Sequence, residues 1–235
     1  MIPLKNTIQV IGFDADDTLW VNEPYYQETE AAFCDLLSSY GTPTILSKEL
    51  LNTERQNIPS YGYGTKGFML SMLETALRVS GRQVPGSTLD QIISLGKSQL
   101  NHPVELLQGV VETLEVLSRL DYRLVVATKG DLKDQERKLA ESGLEKYFHH
   151  IEIMSDKQAT DYQKLLGHLN IEAETFLMVG NSVKSDVLPV VHLGGQAVHI
   201  PYHTTWEHEV VVKTTEQPQY WEIQQFSEII RLLET

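Results

Sequence analysis

Cysteine is nearly absent. Cys34 is the one thiol in 235 residues, so no disulfide can form within the chain. It lies in the helix-like stretch ETEAAFCDLLSSY, where it reads as a small buried hydrophobe. No apolar run approaches the roughly 20 residues that span a bilayer, which argues against a membrane partner. The N-terminal MIPLKNTIQVIGF has only a short apolar run and no small-residue cleavage site, so it does not read as a secretory signal. These features predict a cytoplasmic protein. Positive charge is also scarce: 19 Lys and Arg stand against 32 Asp and Glu, for a net charge of -13. Binding to a nucleic acid polymer relies on Lys and Arg displacing condensed counterions, so such a partner is excluded. A small anionic substrate stays open, because a metal ion and a few local cations can invert the field inside a pocket. The oligomeric state is not legible.

With 41% hydrophobic and 22% charged residues, the chain has ordinary globular usage. Its length suits one large α/β domain or a core carrying a smaller insertion. Short apolar runs rich in β-branched residues predict strands at 8–13 (IQVIGF), 123–127 (RLVVA), 150–154 (HIEIM), 176–179 (FLMV) and 196–200 (QAVHI). Helical patterns fall between them at 110–120, 132–142 and 158–169, and 225–233 reads as a closing helix. This alternation predicts a Rossmann-like α/β fold, a parallel sheet covered by helices, with ligands bound beyond the carboxyl ends of the strands. The stretch 21–105 breaks the rhythm: it has helical patterns at 26–40, 47–56, 67–79 and 89–100 and no convincing strand. We therefore expect a core of residues 1–20 and 106–235, with 21–105 inserted as a mostly helical domain.

Four polar groups each follow a predicted strand. The first is Asp14-Ala15-Asp16-Asp17-Thr18. A carboxylate there can attack phosphorus to form an acyl phosphate, and a second one two positions on can protonate the leaving oxygen and later activate water. The second is Thr128-Lys129-Gly130, where a hydroxyl, a cation and the N–H groups of a tight loop can cradle phosphate, although Thr128 could equally cap the next helix. The third is Lys157, a point charge suited to a phosphoryl oxygen; Lys164 competes but has the spacing of an exposed helix face. The fourth is Gly180-Asn181-Ser182-Val183-Lys184-Ser185-Asp186. Asp186 can give magnesium a hard oxygen ligand, and Asn181 can orient a coordinated water.

In this order, each at a strand's C-terminal end, the four groups resemble the motifs of the haloacid dehalogenase (HAD) superfamily of phosphatases. The helical insert resembles the cap that the superfamily carries between its first and second motifs. The resemblance implies that Asp14 is the nucleophile and a ligand of a Mg2+ cofactor, and that Asp16 is the general acid and base, with its backbone carbonyl on the metal. It further implies that Thr128 and Lys157 hold the phosphate and that Asp186 is the acidic metal ligand. The fourth motif usually begins Gly-Asp, whereas position 181 here is Asn, which removes a charge but can still bond a metal-bound water. The superfamily's dehalogenases typically lack the second aspartate, so Asp16 and Asp186 favour phosphate ester hydrolysis.

The implied activity is hydrolysis of a small phosphorylated metabolite. A phosphomutase sharing the aspartyl-phosphate, or a non-catalytic regulator binding a phosphorylated ligand, are the alternatives. In the insert, Tyr61-Gly62-Tyr63-Gly64-Thr65-Lys66-Gly67 reads either as a plain helix connection or as a substrate-facing loop, with Tyr63 and Lys66 meeting the substrate. His199, His203 and His208 match no zinc spacing, and His149 and His150 read as residues flanking a strand.

Overall fold

The structure, a computed structural model, describes residues 8–210 and 220–234; residues 1–7, 211–219 and 235 of the expected core lie outside that description. Strand β1 (Val10–Phe13) leads into four helices, α1 (Glu23–Leu36), α2 (Pro43–Tyr61), α3 (Thr65–Val79) and α4 (Gly86–Leu100). Then come α5 (Val110–Leu117), β2 (Arg123–Lys129), α6 (Leu132–Ser142), β3 (His150–Met154), α7 (Ala159–Leu169) and β4 (Phe176–Gly180). A π-helical turn, Val183–Val187, runs into α8 (Leu188–His192), followed by β5 (Gln196–His199), β6 (Trp221–Glu222) and α9 (Glu228–Leu233). By contacts, the described chain forms two compact units. One holds residues up to Val21, Val104–Lys129 and the chain from Gln135 onward; the other holds Asn22–Pro103 and Gly130–Asp134.

The first unit is built on one sheet of six strands, ordered β3-β2-β1-β4-β5-β6 and parallel at every pairing. Successive side chains of a strand point to opposite faces, and a doubly covered sheet needs both faces apolar. Ile11, Phe13, Leu124, Val126, Leu177 and Val179 accordingly pack with Val110, Leu114 and Leu117 of α5 and Ile229 of α9. On the opposite face Val10, Val125, Ala127, Phe176 and Met178 pack with Tyr162, Leu165 and Leu169 of α7 and Val190 of α8. Fully burying one such aliphatic side chain stabilises the fold by about 1.5–3 kcal/mol.

From β1 the chain fills one side of the sheet with β2 and β3, then crosses to fill the other with β4, β5 and β6. The order therefore reverses between β1 and β4, whose register pairs Phe13 with Val179. The crevice at such a reversal, beyond the strands' carboxyl ends, is where open α/β sheets bind ligands. Strand β6 was not legible in the sequence: two residues carry too little periodicity to stand out.

The second unit is helical. Phe33, Cys34 and Leu37 of the first helix and its end pack with Leu46 and Leu50 of α2, Phe68, Met72 and Ala76 of α3 and Ile92 of α4. Cys34 is buried, in the role its sequence context predicts. Helix α2 outruns its predicted span of 47–56 at both ends. Pro43 occupies its first turn, where a missing N–H costs nothing, and Pro59 falls close enough to the C-terminus that few turns follow it. The stretch 61–67 is mostly helix rather than loop: Tyr61 ends α2, Gly62 to Gly64 make the connection, and Thr65 starts α3. Gly62 at φ 71° and Gly64 at φ 105° make so short a reversal feasible.

Candidate active site

The nucleophile candidate stands where β1 ends. The Asp14 N–H donates to the Val179 carbonyl at 2.9 Å, extending the ladder to β4 by one rung and fixing the carboxylate at the switch point. The chain then turns sharply. The N–H groups of Thr18 and Leu19 both reach the Ala15 carbonyl, and Asp17 adopts φ 58°, a left-handed conformation that aspartate tolerates better than most residues. This turn returns the Thr18 hydroxyl to Asp14 Oδ2 at 3.0 Å and the Trp20 indole N–H to Asp16 Oδ1 at 2.7 Å.

The fourth group folds onto the same place from β4. Ser182 heads the π-helical turn, its hydroxyl accepting the Ser185 N–H at 3.0 Å, and that turn carries Asp186 back over Gly180. A Cβ at Gly180 would collide with the Asp186 carboxylate, so only glycine allows the approach. Asp186 Oδ2 accepts the Ser182 N–H at 2.9 Å. Asn181 joins the cluster through Thr18: its N–H reaches the Thr18 hydroxyl at 3.1 Å, and that hydroxyl lies 3.4 Å from the Asn181 side-chain oxygen.

Lys157 connects the two carboxylates. Its Nζ pairs with Asp14 Oδ1 and lies 2.6 Å from Asp186 Oδ1, with the Lys157 side chain 1% exposed. Burial pushes Asp14 up to about 7; Lys157 opposes the shift and Asp186 adds to it. Burial alone would lower Lys157, but Asp14 and Asp186 hold it well above the ordinary lysine range. Asp16 is treated differently. Burial would raise it, yet Lys138 at 2.9 Å, Trp20 and the Gln135 amide at 2.8 Å together hold it below the usual carboxylate range. Two neighbouring aspartates thus have opposite proton affinities, a separation typical of acid–base sites.

Asp14, Asp16, Lys157, Asn181 and Asp186 therefore come together, and Thr128 stands buried at the end of β2, two rungs beyond the Val126 that pairs with Phe13. Lys129, expected at the phosphate, instead gives its ammonium to Glu209 at 2.6 Å and Ser185 at 2.9 Å. Burial would raise Glu209, but Lys129, with Ser182 and Ser185, pulls it down to about 2. In the helical unit, Lys66 lies in the first turn of α3 with Nζ 2.9 Å from both Asp131 oxygens, and the Tyr61 hydroxyl donates to Glu74 at 2.8 Å. Tyr63 sits between the two connecting glycines.

Sequence reading gave no role to Thr18, Trp20, Gln135, Lys138 or Glu209. Thr18 offered a signal, four residues after Asp14 in the same acidic turn. The others arrive from elements whose positions only the fold defines.

The cluster has the chemistry of a magnesium site. Its side-chain donors are hard oxygens, the carboxylates of Asp14 and Asp186 and the amide oxygen of Asn181, the kind this ion takes. One ammonium between two buried carboxylates also leaves negative charge in excess, and burial has already pushed Asp14 to about 7. The residues fit.

A family model described as haloacid dehalogenase-like hydrolase matches residues 8–193. Among curated proteins, the chain is 26% identical over 207 residues to glyceraldehyde 3-phosphate phosphatase of Pyrococcus abyssi, covering 83% of this chain and 82% of that protein. It is 29% identical over 162 residues to pyrimidine 5'-nucleotidase PynA of Streptococcus pneumoniae, covering 66% of this chain and 64% of that one. Among solved structures, a haloacid dehalogenase-like family hydrolase from Xanthomonas campestris is similar with a TM-score of 0.85 and 37% identity, covering 97% of this chain and 92% of that one.

Proposed function

This chain belongs to the haloacid dehalogenase-like hydrolases and is of their phosphatase type, and we propose that it hydrolyses a small cytoplasmic phosphomonoester by way of an acyl phosphate on Asp14. The observation that carries the mechanism is the buried arrangement in which Lys157 joins Asp14 and Asp186 at the switch point of the sheet. The names of the two curated relatives suggest the substrate class, a sugar or triose phosphate or a nucleoside monophosphate.

In the first half-reaction an Asp14 oxygen attacks phosphorus as the bond to the ester oxygen breaks. The leaving oxygen takes a proton from Asp16, and the phosphoryl group remains on Asp14. In the second half-reaction Asp16 accepts a proton from water as its oxygen attacks phosphorus, the bond to Asp14 breaks and inorganic phosphate leaves. Lys138, Trp20 and Gln135 keep resting Asp16 ionised, which suits the second half. The proton for the first half enters with the singly protonated phosphomonoester, whose second pKa is about 6, and the proton that Asp16 takes from water leaves with inorganic phosphate, which returns Asp16 to its resting charge. Thr18 aligns the attacking carboxylate, while Lys157 and Thr128 receive the phosphoryl oxygens. Asp14, Asp186 and the Asp16 carbonyl would hold magnesium, with Asn181 on one of its waters. When bound, the ion supplies positive charge to oxygens that become more negative in the transition state.

The test is a screen of phosphorylated metabolites with magnesium, measuring released phosphate, followed by acid quench and mass spectrometry of the protein. Steady phosphate release with a phosphoryl group on Asp14, and neither in Asp14→Asn, is the expected result. An isomerised product without phosphate release would replace the phosphatase with a mutase, and phosphate on serine or histidine would refute the aspartyl intermediate.

A further inference from the structure

Three polar side chains at the edge of the sheet converge without any part in the reaction above. His150 and Glu152, two apart on β3, point to the face that also carries Met154 toward α7, while Ile151 between them joins the opposite core. The last turn of α7 brings His168 to the same spot. Glu152 Oε2 lies 2.7 Å from His150 Nε2 and 3.2 Å from His168 Nδ1, and the three donor atoms fall within 4.8 Å of one another. Among the described residues, no lysine or arginine pairs with this carboxylate.

We propose that His150, Glu152 and His168 form a second site, binding a divalent transition-metal ion such as zinc. Two imidazoles and a carboxylate are a ligand set that zinc takes in three-ligand sites, whereas magnesium prefers oxygens alone. Tetrahedral bonds of about 2.0–2.1 Å separate neighbouring donors by about 3.3 Å. The Glu152–His168 pair at 3.2 Å already fits, the Glu152–His150 pair at 2.7 Å needs to open by about half an ångström, and the two imidazole donors, within 4.8 Å of each other, need to close to the same spacing by side-chain rotation. His168 is 59% exposed and His150 36%, which gives water access to the remaining coordination position. The strand between this site and β1 is β2, so the cluster is distinct from Asp14 and Asp186.

The location gives the site a consequence. Strand β3 and helix α7 flank the short connection that carries Lys157, and a metal held by both would clasp them together. Bound metal therefore stabilises the frame that presents the active-site lysine.

The test titrates the full chain with zinc in saturating magnesium, with a chromophoric chelator reporting free zinc. We expect one zinc per chain, with a dissociation constant on the order of micromolar, and a melting temperature raised by about a few degrees. His168→Ala and His150→Ala should each weaken binding by about tenfold or more and abolish the thermal gain, with circular dichroism verifying the fold. Because His168 is exposed, its replacement leaves packing intact. Absence of zinc binding to the wild type overturns the proposal. So does binding that survives both histidine variants but disappears in Asp186→Asn, which would place zinc among the oxygen ligands.

Discussion

Lys157 Nζ and Asp186 Oδ1 meet at 2.6 Å with both side chains only 1% exposed, and the same ammonium also pairs with Asp14. Removing one member of a buried ionic cluster leaves uncompensated charge, which typically costs about 3–5 kcal/mol. Lys157→Met should lose stability on that scale in chelator, and added magnesium should restore more stability to the variant than to the wild type. Denaturant unfolding with and without magnesium measures both. A loss below about 1 kcal/mol would mean that the carboxylates are not mutually strained.

Thr18 is the clearest case of a residue that positions another. Its hydroxyl donates to Asp14 Oδ2 at 3.0 Å and accepts from the Asn181 N–H at 3.1 Å. Thr18→Val keeps the shape and deletes the donor. A hydrogen bond to a charged group contributes about 1.5–3 kcal/mol, so kcat should fall by about ten- to a hundredfold with KM little changed. Thr18→Ser should recover most of the loss. If the serine variant is as slow as the valine variant, the methyl packing matters and the hydrogen bond does not.

The strands that lead into the acidic groups were legible because a fully buried strand such as Val10–Phe13 is apolar at every position and ends abruptly in charge, but their order in the sheet was not. The position of Asp14 followed from that same boundary, whereas Asp186, six residues past β4, was found only through its spacing in the fourth polar group. The partners that set the proton affinity of Asp16 did not, since Gln135 and Lys138 lie some 120 residues away in the chain and look like ordinary helix-surface side chains. His150 illustrates the same limit. It does begin a strand, but only the fold reveals that α7 brings His168 to the carboxylate it shares.

Glu209 joins Lys129 to Ser182 and Ser185, and its carboxyl is pulled from 4.5 down to about 2. A depressed acid stabilises the fold fully above pH 4.5, and that contribution disappears as the pH falls from there through about 2. The shift corresponds to at most roughly 3 kcal/mol. Glu209→Gln should therefore be clearly less stable than the wild type at neutral pH, with the gap shrinking by more than half near about pH 3. Unfolding free energies of both proteins across pH give the difference directly, and a gap independent of pH would contradict the assignment.

Whether Lys66 and Tyr63 read the substrate can be separated from what Lys66 does at rest. Its ammonium pairs with Asp131 at 2.9 Å while 51% exposed, and an exposed pair of this kind contributes about 0–1 kcal/mol. Lys66→Ala should thus barely change stability. If Lys66 and Tyr63 bind the leaving group, replacing both with Ala should lower kcat/KM for the native substrate by about tenfold or more, a loss of about 1.4 kcal/mol. Hydrolysis of p-nitrophenyl phosphate, whose activated leaving group needs little recognition, should change much less. Asp131→Asn supplies the control, because it breaks the same ion pair and leaves the lysine in place. A selective loss in Lys66→Ala that Asp131→Asn does not reproduce assigns the effect to substrate contact. Equal losses in the two variants would instead assign it to the ion pair.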